Sequence, residues 1–201
     1  MARPPKFDDA EILDRAMAIL WERGWTQTSI RDLEEALDIK APSIYRRFGT
    51  KEGLGAAVVD HYIDSVVQGR VDRYLSGEGD PIDNLTRFFD SSVTSSGDNG
   101  RLWGCLLTTT ALDLGGDDTA LSEARQRGYE VIEEGMRAEV ERADELNRLA
   151  AGTTSDDATA TLALAMQGLM ALARSGAPSS DLRRRARAAV ATVAAPRPGD
   201  A

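Results

Sequence analysis

Residues 28–54 read TSIRDLEEALDIKAPSIYRRFGTKEGL. Two short apolar stripes at helical spacing run through them, Ile30, Leu33 and Leu37 and then Ile44 and Phe48. Ser29 followed by Asp32 is a shortened capping box, so a helix opens there. Asp38-Ile39-Lys40 is a tight turn. Pro42 fits only because it falls in the first turn of the next helix, where its missing N–H costs nothing. Gly49 ends that helix and Thr50 caps another. An amphipathic helix from about Asp8 to Arg23, carrying Ala10, Leu13, Met17 and Leu20, precedes the pair. Three short helices with a tight turn between the second and third form a helix-turn-helix arrangement.

Outward from this stretch the helical pattern continues. One long helix runs from Thr50 through Leu54, Val58, Tyr62 and Val66 to about Tyr74. Gly77-Glu78-Gly79 breaks it, and Asp80-Pro81 restarts a helix to about Val93. Thr94 to Gly100 is a polar loop and the expected flexible segment. Leu102 to about Leu112 is nearly continuous apolar residues and Thr, a helix buried on most sides. Asp117 or Asp118 starts a long amphipathic helix with Leu121, Ala124, Ile132, Met136 and Val140. After a polar break at Gly152 to Asp157, helices of about Asp156–Arg174 and Ser180–Val193 complete the chain, with a frayed tail at 196–201. No strand alternation or repeat occurs. The expected fold is all-α with about nine helices: a helix-turn-helix unit at 1–52 and a larger helical unit at 53–195.

The chain has 201 residues, 42% hydrophobic and 28% charged, the composition of an ordinary globular protein. No apolar run nears the roughly 20 residues that span a bilayer. The N-terminus lacks a secretory pattern, so the expected compartment is the cytoplasm. A single cysteine excludes an internal disulfide and a zinc cluster, and the lone His61 makes no metal site. No cofactor is expected. Net charge is −9, which argues against a coat for nucleic acid. Its distribution argues otherwise: Ile39 to Lys51 holds Lys40, Arg46, Arg47 and Lys51 and no acid. One local basic patch on an acidic protein suits an oriented contact with DNA. A solvated cationic helix end is the plain alternative.

The series Thr28-Ser29-Ile30-Arg31-Asp32-Leu33, then Ile39 to Leu54 with Tyr45 and Phe48 followed by Lys51-Glu52, resembles the N-terminal domain of the TetR family of repressors over residues 7–55. The resemblance implies a homodimer that binds palindromic double-stranded operator DNA and lets go when a small molecule binds the C-terminal domain. Arg31, Ala41, Pro42, Ser43, Tyr45, Arg46, Arg47 and Lys51 stand where the family places DNA contacts, with Thr28 and Lys40 beside them. Arg46 can bond a guanine edge or a phosphate, and Tyr45 and Ser43 can reach phosphate oxygens. Asp38 departs from the glycine usual at this turn, although Asp tolerates left-handed backbone better than most residues. Glu34 and Glu35 add acid near the contact surface.

For the effector, the expected walls are Tyr62, Val66, Phe89, Trp103, Leu106, Met136, Met166 and Met170, with Cys105 and Thr109 as polar handles. The expected effector is small and largely hydrophobic. Some family members sense oxidants or electrophiles with a thiol, which makes Cys105 a rival trigger; the plain reading is a small buried hydrophobe. Dimerisation is expected through Leu162, Met166, Leu169 and Ala173 on one helix and Leu182, Ala186, Ala189 and Val190 on the last. An enzyme is disfavoured because Gly-x-Ser-x-Gly, phosphate-loop and His-Glu-x-x-His patterns are all missing. A helical adaptor that binds only protein is the other rival.

Overall fold

The computed structural model describes residues 8–93, 102–114 and 119–196. The expected loop at Thr94–Gly100, the caps Asp117 and Asp118 and most of the 196–201 tail lie outside them. Among the described residues the chain forms nine helical rods and no strand. They are α1 (Asp9–Arg23), α2 (Ile30–Leu37), α3 (Ala41–Phe48), and a rod made of α4 (Lys51–Tyr62), a π turn (Ile63–Val67) and α5 (Gln68–Tyr74). Then follow α6 (Pro81–Ser92), α7 (Leu106–Leu114), α8 (Thr119–Glu145), α9 (Ser155–Arg174) and α10 (Ser179–Val193). Among the described residues no helix is long and apolar enough to cross a membrane.

The helices start where short polar side chains can accept an orphan amide. Asp8 accepts from Glu11 N at 2.8 Å, and Thr50 from Gly53 N at 2.9 Å. Ser29 and Asp32 close a reciprocal capping box at the head of α2. Asp80 accepts from the amides of Ile82 and Asp83, and Pro81 occupies the first helical position.

Ile12, Ala16, Leu20, Leu33, Leu37 and Ile44 are buried together and hold the first three helices. The α4 rod leaves that cluster and lies along α8, the central strut, whose 27 residues reach about 40 Å. The turn before α6 is pinned by the buried carboxylate of Glu139 on α8, which accepts from Gly77 N at 2.8 Å and from the Asn84 amide at 3.1 Å. Arg142 completes that site at 2.5 Å, so the buried charge is paired. α10 packs on α9 and α6, and the chain after it is tied back by Ala195 N donating to Arg148 O at 2.8 Å.

Three expectations are corrected here. The helix expected from Leu102 begins only at Leu106. Gly104 has φ +77°, and a Cβ there would stand 2.8 Å from the Met170 carbonyl oxygen, so residues before Cys105 follow α9 instead of coiling. The rod from Lys51 is interrupted by the π turn, which carries one residue more per turn. The expected dimer stripe is intramolecular core: Leu162, Leu182 and Ala186 are fully buried, and Met166, Leu169, Ala173 and Val190 nearly so. These residues join α9 and α10 to their own subunit, and Ala189 is only half-exposed beside them. The opposite face of α9 is the one open to solvent, with Leu164 73% and Leu172 38% exposed and Gly168 between them.

Candidate nucleic-acid interface and regulatory cavity

α3 buries Ile44 against α2 and turns Pro42, Tyr45 and Arg46 outward; Tyr45 is 43% exposed although aromatic. Arg31 and Lys40 share this open surface, and Ala41 and Ser43 are half-buried at its edge. Its shape depends on the turn before α3. Asp38 adopts left-handed backbone at φ 53°, ψ 36°, the conformation a glycine would take at no cost. Lys40 provides no side-chain cap for α3. Instead Glu34, on α2, accepts from Ala41 N at 2.7 Å across the turn. Its charge is thereby spent on the positive end of α3. Sequence reading missed this because the two residues are seven apart, outside any local capping pattern.

Three expected DNA contacts are engaged elsewhere. Thr28 is fully buried and its hydroxyl donates to Gly24 O at 2.6 Å, so it shapes the turn and cannot reach a phosphate. Lys51 donates to Trp25 O at 3.2 Å and stands 4.4 Å from the centre of the Trp25 ring. Burial holds its pKa below the ordinary lysine value, with Glu52 and Asp32 opposing. Arg47 is half-buried and pairs with Asp9 at 2.7 Å; the carboxylate is exposed, so that pair can exchange for a phosphate at little cost.

Two small adjoining cavities, each about 30 Å³, lie between α4, α6, α8 and α9 and have room for a water or two. Cys105, Ile132, Met166 and Met170 border both. Tyr62, Val67, Arg70, Phe88 and Ser92 complete the first, and Thr108, Tyr129, Glu133, Met136, Ala163 and Gln167 the second. Tyr62, Cys105, Met136, Met166 and Met170 therefore sit where the sequence expected, while Val66, Phe89, Trp103, Leu106 and Thr109 do not line these spaces. Val67 replaces Val66 because the π turn puts the residue five after Tyr62 on its face, where an α-helix would put the fourth. Phe89 and Leu106 are packed in solid core. Trp103 lies edge-on to Trp21, ring centres 5.8 Å apart. The late start of α7 brings Thr108, one residue before Thr109, to the second cavity. His61 is bonded to Asp14 on α1 at 2.7 Å and is not part of either wall.

The polar groups in these walls are few. Burial pushes the Tyr62 phenol well up, followed by the effect of Cys105, so it stays protonated and donates to Cys105 Sγ at 3.6 Å. The Tyr129 hydroxyl lies in the wall of the second cavity, and burial raises its pKa too, with Thr108 opposing.

The cavity wall is also tied to the first helix. Trp21 Nε1 donates to Gly104 O at 3.0 Å, next to Cys105. Arg174, one turn beyond Met170, donates to the carbonyls of Trp21 and Glu22 at 2.8 Å each. Asp113 on α7 accepts from Trp25 N at 2.6 Å. Three elements beside the cavity thus hold the end of α1 and the loop behind it.

Against known proteins, residues 12–58 match the family model described as bacterial regulatory proteins, tetR family. The repressor ComR of Escherichia coli is 50% identical over 62 residues, which cover 31% of this chain and 30% of ComR. That alignment spans under a third of ComR. A cysteine mutant of the TetR family regulator CifR, solved with 26-base-pair operator DNA, is 30% identical, with TM-score 0.76 and coverage of 94% of this chain and 98% of that one. Reduced NemR of E. coli superposes with TM-score 0.80 over 94% of this chain and 100% of NemR. At 18% identity that likeness shows the fold alone.

Proposed function

The chain belongs to the TetR family and is a DNA-binding transcriptional regulator, and from that premise we propose a repressor that grips a palindromic operator as a homodimer and releases it when a small, largely apolar effector enters the cavity at Cys105. The observation that carries this reading is the exposed face of α3, with Pro42, Tyr45 and Arg46 open to solvent above a fully buried Ile44. The family places the chain among regulators, not enzymes. We assign residues 1–52 to DNA binding, 53–195 to effector binding and dimerisation, and the working compartment to the cytoplasm.

The two cavities supply the switch. They are too small for an effector as they stand, and their common walls include two unbranched, adaptable methionines. A molecule that forces Met166 and Met170 apart shifts α9 and the Cys105 segment. Gly104 and Arg174 carry that shift to the end of α1. In a dimer, recognition helices held about 34–36 Å apart then lose their match to successive grooves. A discrimination of a few kcal/mol suffices, since operator binding needs both half-sites. Modification of Cys105 is the competing trigger, favoured by its place on both cavity walls.

Electrophoretic mobility shift with the DNA upstream of its own gene tests the reading. A shift that competitor DNA of unrelated sequence does not abolish supports it, and no shift at any protein concentration refutes it. Release by oxidants that persists in Cys105→Ser removes the thiol trigger.

A further inference from the structure

The effector reading leaves open what chemistry the cavity selects, and one side chain in it stands apart. Arg70 on α5 lines the first cavity and has no ion pair or hydrogen bond among the described residues. The acids near it along the rod are occupied or exposed. Asp72 accepts from Gln68 at 2.8 Å, Asp60 pairs with Arg127 at 2.6 Å, and Asp64 is open to solvent. Glu133, which borders the second cavity, pairs with Arg137 at 3.5 Å. The other polar groups of the first cavity already have partners: Ser92 donates to Phe88 O at 3.0 Å, and Tyr62 to the Cys105 sulfur. The rest of the lining is Val67, Phe88, Ile132 and the two methionines, an apolar wall.

Arg70 is half-buried, its guanidinium partly hydrated, so a ligand entering the apolar space meets a cation with no counter-ion among the described residues. Its planar fork matches a carboxylate, which it can hold by two parallel hydrogen bonds. The Tyr62 hydroxyl feels the Arg70 charge and now donates only to sulfur, a weak acceptor, so it is available to a carboxylate oxygen. Resting on the effector reading above, we propose that the cavity binds a carboxylic acid with a compact apolar body, its carboxylate on Arg70 and Tyr62 and its body displacing Met166 and Met170.

The test uses the full chain without DNA. Trp21 packs against Tyr62 with ring centres 5.0 Å apart, so tryptophan emission and thermal shift both report occupancy. Benzoate, phenylacetate and octanoate are titrated beside their primary amides, which keep the shape and lose the charge. At least one acid binds roughly tenfold or more tighter than its amide, the worth of a charge-assisted pair. Arg70→Gln abolishes that preference while its far-ultraviolet dichroism and melting stay those of the parent, and Arg70→Lys keeps part of it. Equal binding of acid and amide, no binding of any acid, or a preference that survives Arg70→Gln overturns the proposal. Operator release is read separately. An acid that binds through Arg70 and leaves the DNA complex intact defeats the effector reading alone, and release by amides as readily as by acids defeats the carboxylate assignment alone.

Discussion

Arg46 and Lys51 carry the same charge a few residues apart, and the structure assigns them different work. Arg46 is exposed on α3, whereas Lys51 lies on the Trp25 ring and bonds its carbonyl. Arg46→Ala or Tyr45→Ala should weaken operator binding, by about 1–3 kcal/mol where Arg46 makes a bidentate base contact. Lys51→Met should instead lower the unfolding free energy by about 1 kcal/mol and leave the salt dependence of binding unchanged. Anisotropy titrations at several salt concentrations, with thermal melts, separate the two; a flatter salt slope in Lys51→Met would put its ammonium on the DNA backbone. Asp80 gives a pH signature. Burial raises its pKa, but the Asp83 amide and the Arg148 guanidinium outweigh that and leave it lowered. A carboxylate held low stabilises the fold above its unfolded value and loses that contribution as pH falls through the folded one. Asp80→Asn should therefore be less stable than the parent at neutral pH, with the gap closing below about pH 4. Urea melts at both pH values measure it, and a gap that stays constant would show that charge has no part.

At the scale of elements, the joint between α2 and α3 depends on a carboxylate outside α3. Glu34→Ala leaves the Ala41 amide without its acceptor and should cost about 1 kcal/mol, loosening α3 enough to weaken binding to any DNA sequence. Glu34→Gln, which keeps an acceptor, should recover most of both. If Ala and Gln behave alike in melts and titrations, the cap is unimportant. Most helices were legible because their causes are local. Asp8, Ser29, Thr50 and Asp80 all cap as their positions imply, and Pro42 and Pro81 fall in first turns. The misplaced start of α7 has a distant cause, the Met170 carbonyl against Gly104. The cavity was legible at Tyr62, Cys105 and the methionines and slipped by one residue past the π turn, since apolar spacing does not reveal where a helix gains a residue.

At the scale of the whole molecule, α9 carries two apolar faces, and its sequence does not say which one its own subunit covers. Leu162, Met166, Leu169 and Ala173 face α8 and α10, while Leu164, Gly168 and Leu172 face outward. The outward stripe, with Ala188 and Ala191 exposed on α10, is the surface we assign to the dimer. Leu164→Glu combined with Leu172→Glu should yield a folded monomer with little operator affinity, seen by light scattering and dichroism. Leu169→Glu should unfold the chain, because it buries a charge in the subunit core. A dimer that survives the outward pair would place the interface elsewhere. The ties from Gly104 and Arg174 to α1, and from Asp113 to the loop after it, make the DNA-binding end and the cavity one mechanical body.

The π turn at Ile63–Val67 has a consequence for how the rod tolerates a change of length. Five residues there occupy the circuit that four would take in an α-helix, so the helices on either side keep the phase they would have with one residue fewer. It has the form of one surplus residue that the rod accommodates locally. Deleting Ser65, an exposed residue whose hydroxyl donates to the His61 carbonyl, should close the turn to α-helix and leave melting temperature and operator affinity close to those of the parent. Deleting Ala57, two turns earlier, turns the intervening Val58, Val59 and Tyr62 by about 100° out of the core even if the π turn closes, and should lower the melting temperature sharply. Equal damage from both deletions, compared by thermal melts, would mean that the extra residue is indispensable to the fold.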